Sequence, residues 1–543
     1  MTSPQNGHSR HGAVDGFINN SSRVSRPVVR RVLASPSRTI VTGKHVAVSL
    51  KKPTSQGDSP METGAPLLAE SVSNPKKIPL PVYIAPKRPV RPVKKQHVFR
   101  TWGLRFASLF IALFLATGGF LFWKGYSKLH KVFRGTGTVA ALSKNVDPLK
   151  LNGEGDGRVN VLLLGIGGAG HDGPDLTDTM LILSVDPVNN TAVLLSVPRD
   201  LWVKMPVNYF GSYQKINAAY ESGKYSYLHK NDASNANAQA LQAGFATDDT
   251  VLNQVLGLKI NYHVLIDFQA FKQAIDTVGG VTVDVPNQLY DPTMAWENGW
   301  NPILAKAGVQ VMAGKQALMY ARSRETSTDF ARSQRQRQII LSLKDKVLSA
   351  GTLSDPAKID SLMNAFGDNV YSDLSTQGAE RMYNILKNVN DTNIKSIGLA
   401  DAPNNFVTTD HVGNISIVRP SAGLNNYAPI QTFVRTQLKD GFIVKENAPL
   451  EIINASNSPK AGILLGDQLK TYGYNVTDVS NSPTRSYQHT ILVDLSGGAD
   501  KYTKHYLEDH FKVTSVTKLP DSTISAGTNK FVIIIGQNET VTN

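Results

Sequence analysis

Phe106 to Trp123 is a run of 18 residues without a charge. As a helix it would reach roughly 27 Å at 1.5 Å per residue, close to the minimum for crossing a bilayer. Lys94, Lys95, Arg100 and Arg105 precede it, which puts the N-terminus in the cytoplasm by the positive-inside rule. Trp102 and Trp123 stand at its two ends, as interfacial tryptophans do. A cleaved leader would lie at the extreme N-terminus beside a small-residue cleavage site, and this run does neither. The expectation is one transmembrane helix over residues 104–124 in the cell membrane, with everything after it extracytoplasmic and membrane lipid as one partner.

This segment divides the chain. Residues 1–105 hold 18 Lys+Arg against 4 Asp+Glu, the whole of the +14 net charge, and the remainder carries 39 of each sign. The basic character therefore belongs to the tail and not to a nucleic-acid-binding domain, and no nucleic acid is expected as a partner. Twelve of the 28 prolines fall in residues 1–100. Stretches such as Pro86-Lys87-Arg88-Pro89-Val90-Arg91-Pro92 lack the amide donors a helix needs, so residues 1–100 read as a disordered cytoplasmic tail with polyproline pieces. There is no cysteine, which excludes disulfides, thiolate metal sites and a cysteine nucleophile.

Beyond a short stem, residues 155–440 alternate apolar strands with amphipathic helices, a pattern that predicts an α/β fold with a mixed sheet covered by helices. Val159–Leu164, Thr179–Val185, Ala192–Val197, Tyr262–Phe268, Val281–Val285 and Lys395–Leu399 read as strands. Residues 236–256, 330–349, 356–366 and 376–389 read as helices. Residues 446–538 repeat the pattern on a smaller scale, with strands at Leu450–Asn454, His489–Leu495 and Phe531–Ile535 and helices over 460–472 and 499–511. Lys439–Asn447 reads as a linker between the two.

Several residues carry chemistry. The first strand ends in Gly165-Ile166-Gly167-Gly168-Ala169-Gly170, a turn that lets backbone approach a phosphate or is simply a loop. It is not a dinucleotide fingerprint, because a strand follows and not a helix. Asp172, Asp175 and Asp178 come next; carboxylates on a glycine-flanked loop suit Mg²⁺ or form a solvated acidic turn. Arg199-Asp200 follows an apolar strand directly. Arg322 and Arg324 close an apolar segment, and share one side if the chain is extended there. Arg332, Arg335 and Gln336 share a helix face. Converging guanidinium forks suit a pyrophosphate, whereas each arginine alone reads as a surface ion pair.

The order of these motifs resembles the LytR-CpsA-Psr family. The resemblance rests on Leu162-Leu163-Leu164-Gly165, Thr177-Asp178-Thr179-Met180, Ser196-Val197-Pro198-Arg199-Asp200, Lys215-Ile216-Asn217-Ala218-Ala219-Tyr220, Gly279-Gly280-Val281, Tyr320 to Arg324, and Asp329-Phe330-Ala331-Arg332 with Arg335-Gln336. Residues 446–538 are similar to the LytR C-terminal domain. The resemblance implies an α/β/α sandwich whose hydrophobic cavity takes a polyprenyl tail and whose charged mouth grips a pyrophosphate. It implies a phosphotransferase that moves a polyprenyl-pyrophosphate-linked glycan, such as a teichoic-acid-like polymer, onto peptidoglycan with Mg²⁺ or Mn²⁺. By position, Asp178 would ligate the metal. Arg199, Arg322, Arg324, Arg332 and Arg335 would bind phosphate oxygens with Gln336 assisting, and Lys215, Asn217 and Asp200 would line the site. Two departures stand out: Gly165-Ile166-Gly167-Gly168-Ala169 replaces the family's usual Gly-x-Asp-x-Arg, and Leu176 stands where an arginine is usual. Asp172, or else Asp175, is the expected substitute ligand. The alternatives are a non-catalytic wall-binding or scaffold protein and a membrane-bound regulator, although the tail shows no helix-turn-helix pattern.

Overall fold

The structure is a computed structural model. It describes residues 132–537, apart from residues 144, 232–237, 325–328, 350–360, 362–365, 368 and 402. All described residues belong to one compact unit. The basic tail, the expected span over 104–124 and most of the expected helix over 356–366 lie outside the described residues. Among the described residues no helix is long and apolar enough to cross a membrane.

The strands are β1 (Val159–Ile166), β2 (Thr177–Asp186), β3 (Thr191–Ser196), β4 (Trp202–Lys204), β5 (Tyr213–Lys215), β6 (Tyr262–Asp267), β7 (Val281–Val285), β8 (Leu289–Tyr290), β9 (Ile303–Ala305), β10 (Gly308–Met312), β11 (Val370–Ser372), β12 (Ile394–Gly398), β13 (Val407–Val412), β14 (Ile415–Pro420), β15 (Pro449–Asn454), β16 (Asn475–Asn481), β17 (Ile491–Asp494) and β18 (Phe531–Ile535). The α-helices are α1 (Ala219–Lys230), α2 (Ala238–Leu256), α3 (Phe268–Thr277), α4 (Gly314–Arg322), α5 (Asp329–Leu348), α6 (Thr376–Leu386), α7 (Ala428–Gln437), α8 (Gly441–Glu446), α9 (Ala461–Tyr472) and α10 (Lys501–Phe511).

Six strands form the main sheet in the order β11-β6-β1-β2-β3-β12. β1 is parallel to β6 and antiparallel to β2, and β3 is antiparallel to β2 and parallel to β12. The sheet is therefore mixed, as expected. Its central strands are apolar on both sides because successive side chains point to opposite faces and both faces are covered. Leu162, Leu164, Met180, Ile182 and Leu195 pack with Tyr220, Phe245, Val251 and Leu252 of α1 and α2 and Ile430 and Val434 of α7. Val159, Val161, Val185 and Ala192 pack instead with Met382 and Ile385 of α6 and with Ala141 and Leu142 of the stem. β1, β3, β6 and β12 all end on one edge of this sheet, and β2 begins there.

A second sheet, β16-β15-β18-β17, forms the C-terminal part, with β15 parallel to both neighbours and β17 antiparallel to β18. Two expectations need correction. Lys439–Asn447 is not a linker: Asp440 caps α8 by accepting from the amides of Phe442 and Ile443, and also accepts from those of Gly155 and Gly157 at 3.0 and 2.9 Å. Phe442 and Ile443, together with Val146 and Leu151 from the stem, are buried in one cluster with Leu450, Ile452, Leu507 and Phe531. The two parts thus share a core. Tyr320–Arg324 is not extended either: α4 runs through Arg322, because Ala317, Leu318, Met319 and Ala321 are good helix formers that bury against the protein. Arg322 and Arg324 are therefore not strand neighbours on one side.

Candidate functional site

Asp178 stands at the start of β2 and Arg199 just beyond the end of β3, so sheet topology alone puts both on the strand-end edge. Arg199 Nη1 donates to the Asp178 carboxylate, and Asn217 Nδ2 lies 3.4 Å from the same oxygen. The backbone locks this arrangement, with the Asn217 amide donating to the Arg199 carbonyl and the Ile216 amide to the Leu201 carbonyl at 3.2 and 2.7 Å. Asp200 lies 3.6 Å from Arg199 Nε and accepts from Lys215 Nζ at 2.9 Å. Burial raises the pKa of the Asp200 carboxyl, but Arg199, Lys215 and Arg324 together hold it below the usual carboxylate value. Asp200 is therefore an anion shared among three cations contributed by three separate stretches of chain.

The second group of arginines is braced by α5. Arg335 donates from Nε to the Tyr320 carbonyl at 2.8 Å and from Nη2 to the Ser323 carbonyl, and Gln336 donates to the Ala321 carbonyl at 3.3 Å. These two side chains hold the Tyr320–Ser323 backbone, and Arg332 is buried beside them on the same helix. Arg322 lies 4.8 Å over the Phe268 ring and donates from Nη1 to both carboxylate oxygens of Glu297 at 3.1 Å. The Arg324 amide lies 3.3 Å from Asp291 Oδ2, which also accepts from Ser323 Oγ at 2.7 Å.

The three loop aspartates separate. Asp178 has a side chain 40% exposed, which fits a Mg²⁺ ion completed by phosphate oxygens. Asp175 does not fit: it is buried, and Lys224 Nζ donates to both its oxygens at 2.6 Å. Asp172 lies exposed on the loop. Among the described residues no group of three or more histidine, aspartate or glutamate side chains could hold a metal ion. The glycine run does bring backbone close to the edge. Gly168 has φ +78, and a Cβ there would sit 2.9 Å from the Cβ of Asp267 at the end of β6.

Several residues of this region escape a reading of the sequence. Arg337 is buried, donating from Nε to Ser396 Oγ at 2.8 Å, and also to Ser196 and Asp401, so it ties α5 to the ends of β3 and β12. Asp291, Glu297 and Lys224 are the others. Arg337 follows Arg335 by two residues, and that basic run was its one signal; the acids meet their partners across 25 to 33 residues with no motif between them.

The LytR_cpsA_psr family model matches residues 126–424. The chain is 33% identical over 202 residues to the polyisoprenyl-teichoic acid–peptidoglycan teichoic acid transferase TagV of Bacillus subtilis, covering 36% of this chain and 45% of TagV. The aligned part thus spans less than half the length of that relative. It is 28% identical over 340 residues to the polyisoprenyl-teichoic acid–peptidoglycan teichoic acid transferase TagU of Oceanobacillus iheyensis, covering 60% of this chain and 89% of TagU. The crystal structure of B. subtilis TagV superposes with a TM-score of 0.39 at 26% identity, over 52% of this chain and 97% of that one.

Proposed function

Because the chain belongs to the LytR_cpsA_psr family, we propose that it is a polyisoprenyl-teichoic acid–peptidoglycan teichoic acid transferase, or a close variant acting on another wall glycopolymer. The observation that carries this reading is the meeting at Asp200 of Arg199, at 3.6 Å, and Lys215, at 2.9 Å, from separate stretches of chain, with the Arg324 charge lowering the pKa of the same carboxyl. With Arg322, they offer several forks and a point charge to a pyrophosphate at the strand-end edge, where α/β sheets bind ligands. In the reaction, the oxygen of an acceptor hydroxyl on peptidoglycan bonds to the phosphorus that carries the glycopolymer. The phosphoanhydride bond breaks, polyprenyl phosphate leaves, and the hydroxyl proton passes to solvent or buffer. Little covalent chemistry falls to the protein in such a transfer; it positions the phosphates and stabilises their charge.

Arg199 and Arg322 bind phosphate oxygens by exchanging their present carboxylate partners for the substrate. Arg335 and Gln336 hold the Tyr320–Ser323 backbone that carries Arg322, and Arg337 ties α5 to the ends of β3 and β12. Asp178 would hold a Mg²⁺ ion, which would supply positive charge at the transferring group. The apolar layer of α1 and α2 over the sheet lodges the polyprenyl tail, and an N-terminal span over 104–124 keeps the domain at the outer face of the membrane. The test is to incubate the full chain with a synthetic polyprenyl-pyrophosphoryl glycan and peptidoglycan oligomers, analysed by mass spectrometry. The expected product is phosphoglycan-linked peptidoglycan with release of polyprenyl phosphate. Donor bound tightly but never transferred would instead favour a non-catalytic member of the family.

A further inference from the structure

The segment between β8 and β9 is short, braced and unusual. A 3₁₀ helix, Pro292–Asn298, starts at Asp291, whose carboxylate accepts from the Thr293 amide and hydroxyl at 3.0 and 2.6 Å. It ends at Gly299, φ 62, and Trp300 follows at φ 68, a left-handed backbone that bulky residues avoid. The Trp300 amide donates to the Ala295 carbonyl at 2.7 Å, and Asn298 Nδ2 donates to the carbonyls of Asn301 and Ile303 at 3.0 and 2.9 Å. Met294 is buried, yet Trp296 is 64% and Trp300 81% exposed. Tryptophan contributes to stability through the area it buries, so two exposed indoles on a tied-down loop, one at a strained position, do little for the fold.

This segment is fastened to the candidate site at two points. Glu297, next to Trp296, bonds Arg322, and Asp291 bonds Ser323 and the Arg324 amide. We propose that Trp296 and Trp300 form the acceptor subsite, a platform on which a sugar ring of the acceptor glycan strand stacks and so brings its hydroxyl toward the phosphorus held by Arg322. The inference rests on the transferase reading above. Charge separates a glycan from a lipid surface as the occupant. Residues 289–305 contain Asp291 and Glu297 and neither lysine nor arginine, whereas an anionic headgroup layer draws Lys and Arg toward it. A neutral sugar matches aromatic faces flanking a carboxylate and the exposed side chain of Asn301.

The experiment uses the full chain in detergent micelles with saturating synthetic donor and varied un-crosslinked peptidoglycan strands. Trp296→Ala, Trp300→Ala and the double variant are expected to raise the acceptor KM by about tenfold or more, as loss of an aromatic anchor does. Donor KM stays unchanged, and kcat at saturating acceptor stays within about twofold, as for loss of uniform binding. Trp300→Phe, which keeps an aromatic face, retains most of the acceptor affinity. Adding the strands quenches tryptophan fluorescence in the wild type and not in the double variant. An unchanged acceptor KM in the double variant, with transfer still measurable, overturns the proposal. So does stronger quenching of the wild type than of the double variant in brominated phosphatidylglycerol nanodiscs with acceptor KM unaltered, which makes the face a membrane contact. A wild-type chain that gives no transfer at all sinks the transferase reading instead, and the fluorescence titration then tests the platform separately.

Discussion

His263 on β6 is nearly closed off from solvent and lies between two carboxylates, with Nε2 2.9 Å from Asp249 and Nδ1 2.7 Å from Asp373. Its ring stacks on Phe245 at 4.6 Å, and the buried Asp248, whose carboxyl burial pushes well above the usual range, is also near. Burial alone would lower the imidazole pKa, but the hydrogen bonds and charges of Asp249 and Asp373 outweigh it and lift the pKa to about 9. A folded-state pKa above the unfolded value of about 6.5 means that the proton stabilises the fold. That stabilisation is fully present below about pH 6.5 and is lost as pH rises through about 9. The shift corresponds to about 3 kcal/mol. For a folded unit of about 400 residues this is a fall in Tm of about 4 °C. The assay is thermal unfolding of the full chain in micelles from pH 6 to pH 10, wild type against His263→Gln. The wild type is expected to lose its advantage over the variant across pH 6.5–9. Parallel Tm curves for the two proteins over that window would refute the reasoning.

Other perturbations follow from the same geometry. Truncation after residue 445 strips Val146, Leu151, Phe442 and Ile443 of their partners, each worth about 1.5–3 kcal/mol of burial, so protease susceptibility of the remaining chain should rise sharply; an equally resistant fragment would show that the shared core is dispensable. Arg199→Ala should lower transfer by about 10²-fold or more, and Arg199→Lys should recover only part of it because an ammonium lacks the planar fork, as steady-state rates will tell. Asp175→Asn should destabilise by about 3–5 kcal/mol, as breaking a buried pair does, in denaturant titrations without altering the Mg²⁺ requirement. Asp178→Asn should raise that requirement with little loss of stability, which Mg²⁺-dependent rates and calorimetry distinguish.

What the sequence discloses about this fold depends on how local the signal is. β1 is legible because its apolar run is continuous and both faces of the sheet are buried. Arg199 and Asp178 are legible because strand ends place them, and α5 because twenty residues give periodicity room to show. α8 is only six residues long, too short for a period, so it passes for a linker although Phe442 and Ile443 anchor a core. Asp175 and Asp178 look alike in sequence, three residues apart; Lys224, 49 residues from Asp175, claims the first and leaves the second partly open. Asp291 and Glu297 are invisible for the same reason, since their roles exist only once α4 is placed against the β8–β9 excursion.

The charges at the strand-end edge bear on how a pyrophosphate would bind in the proposed reaction. Asp178, Asp200, Asp291 and Glu297 stand four against four with Arg199, Lys215, Arg322 and Arg324, and the buried Arg332 and Arg335 lie beside them. A pyrophosphate diester adds two negative charges to a partly buried place, where uncompensated charge is costly. Freeing Arg199 and Arg322 for the phosphates does not change that sum, because it releases Asp178 and Glu297 as anions. On the proposed reading, Asp178 would hold a Mg²⁺ ion, which would add positive charge there and partner the displaced carboxylate. If Asp178 holds the metal as proposed, Asp178→Asn should weaken donor binding in the presence of Mg²⁺ far more than in its absence.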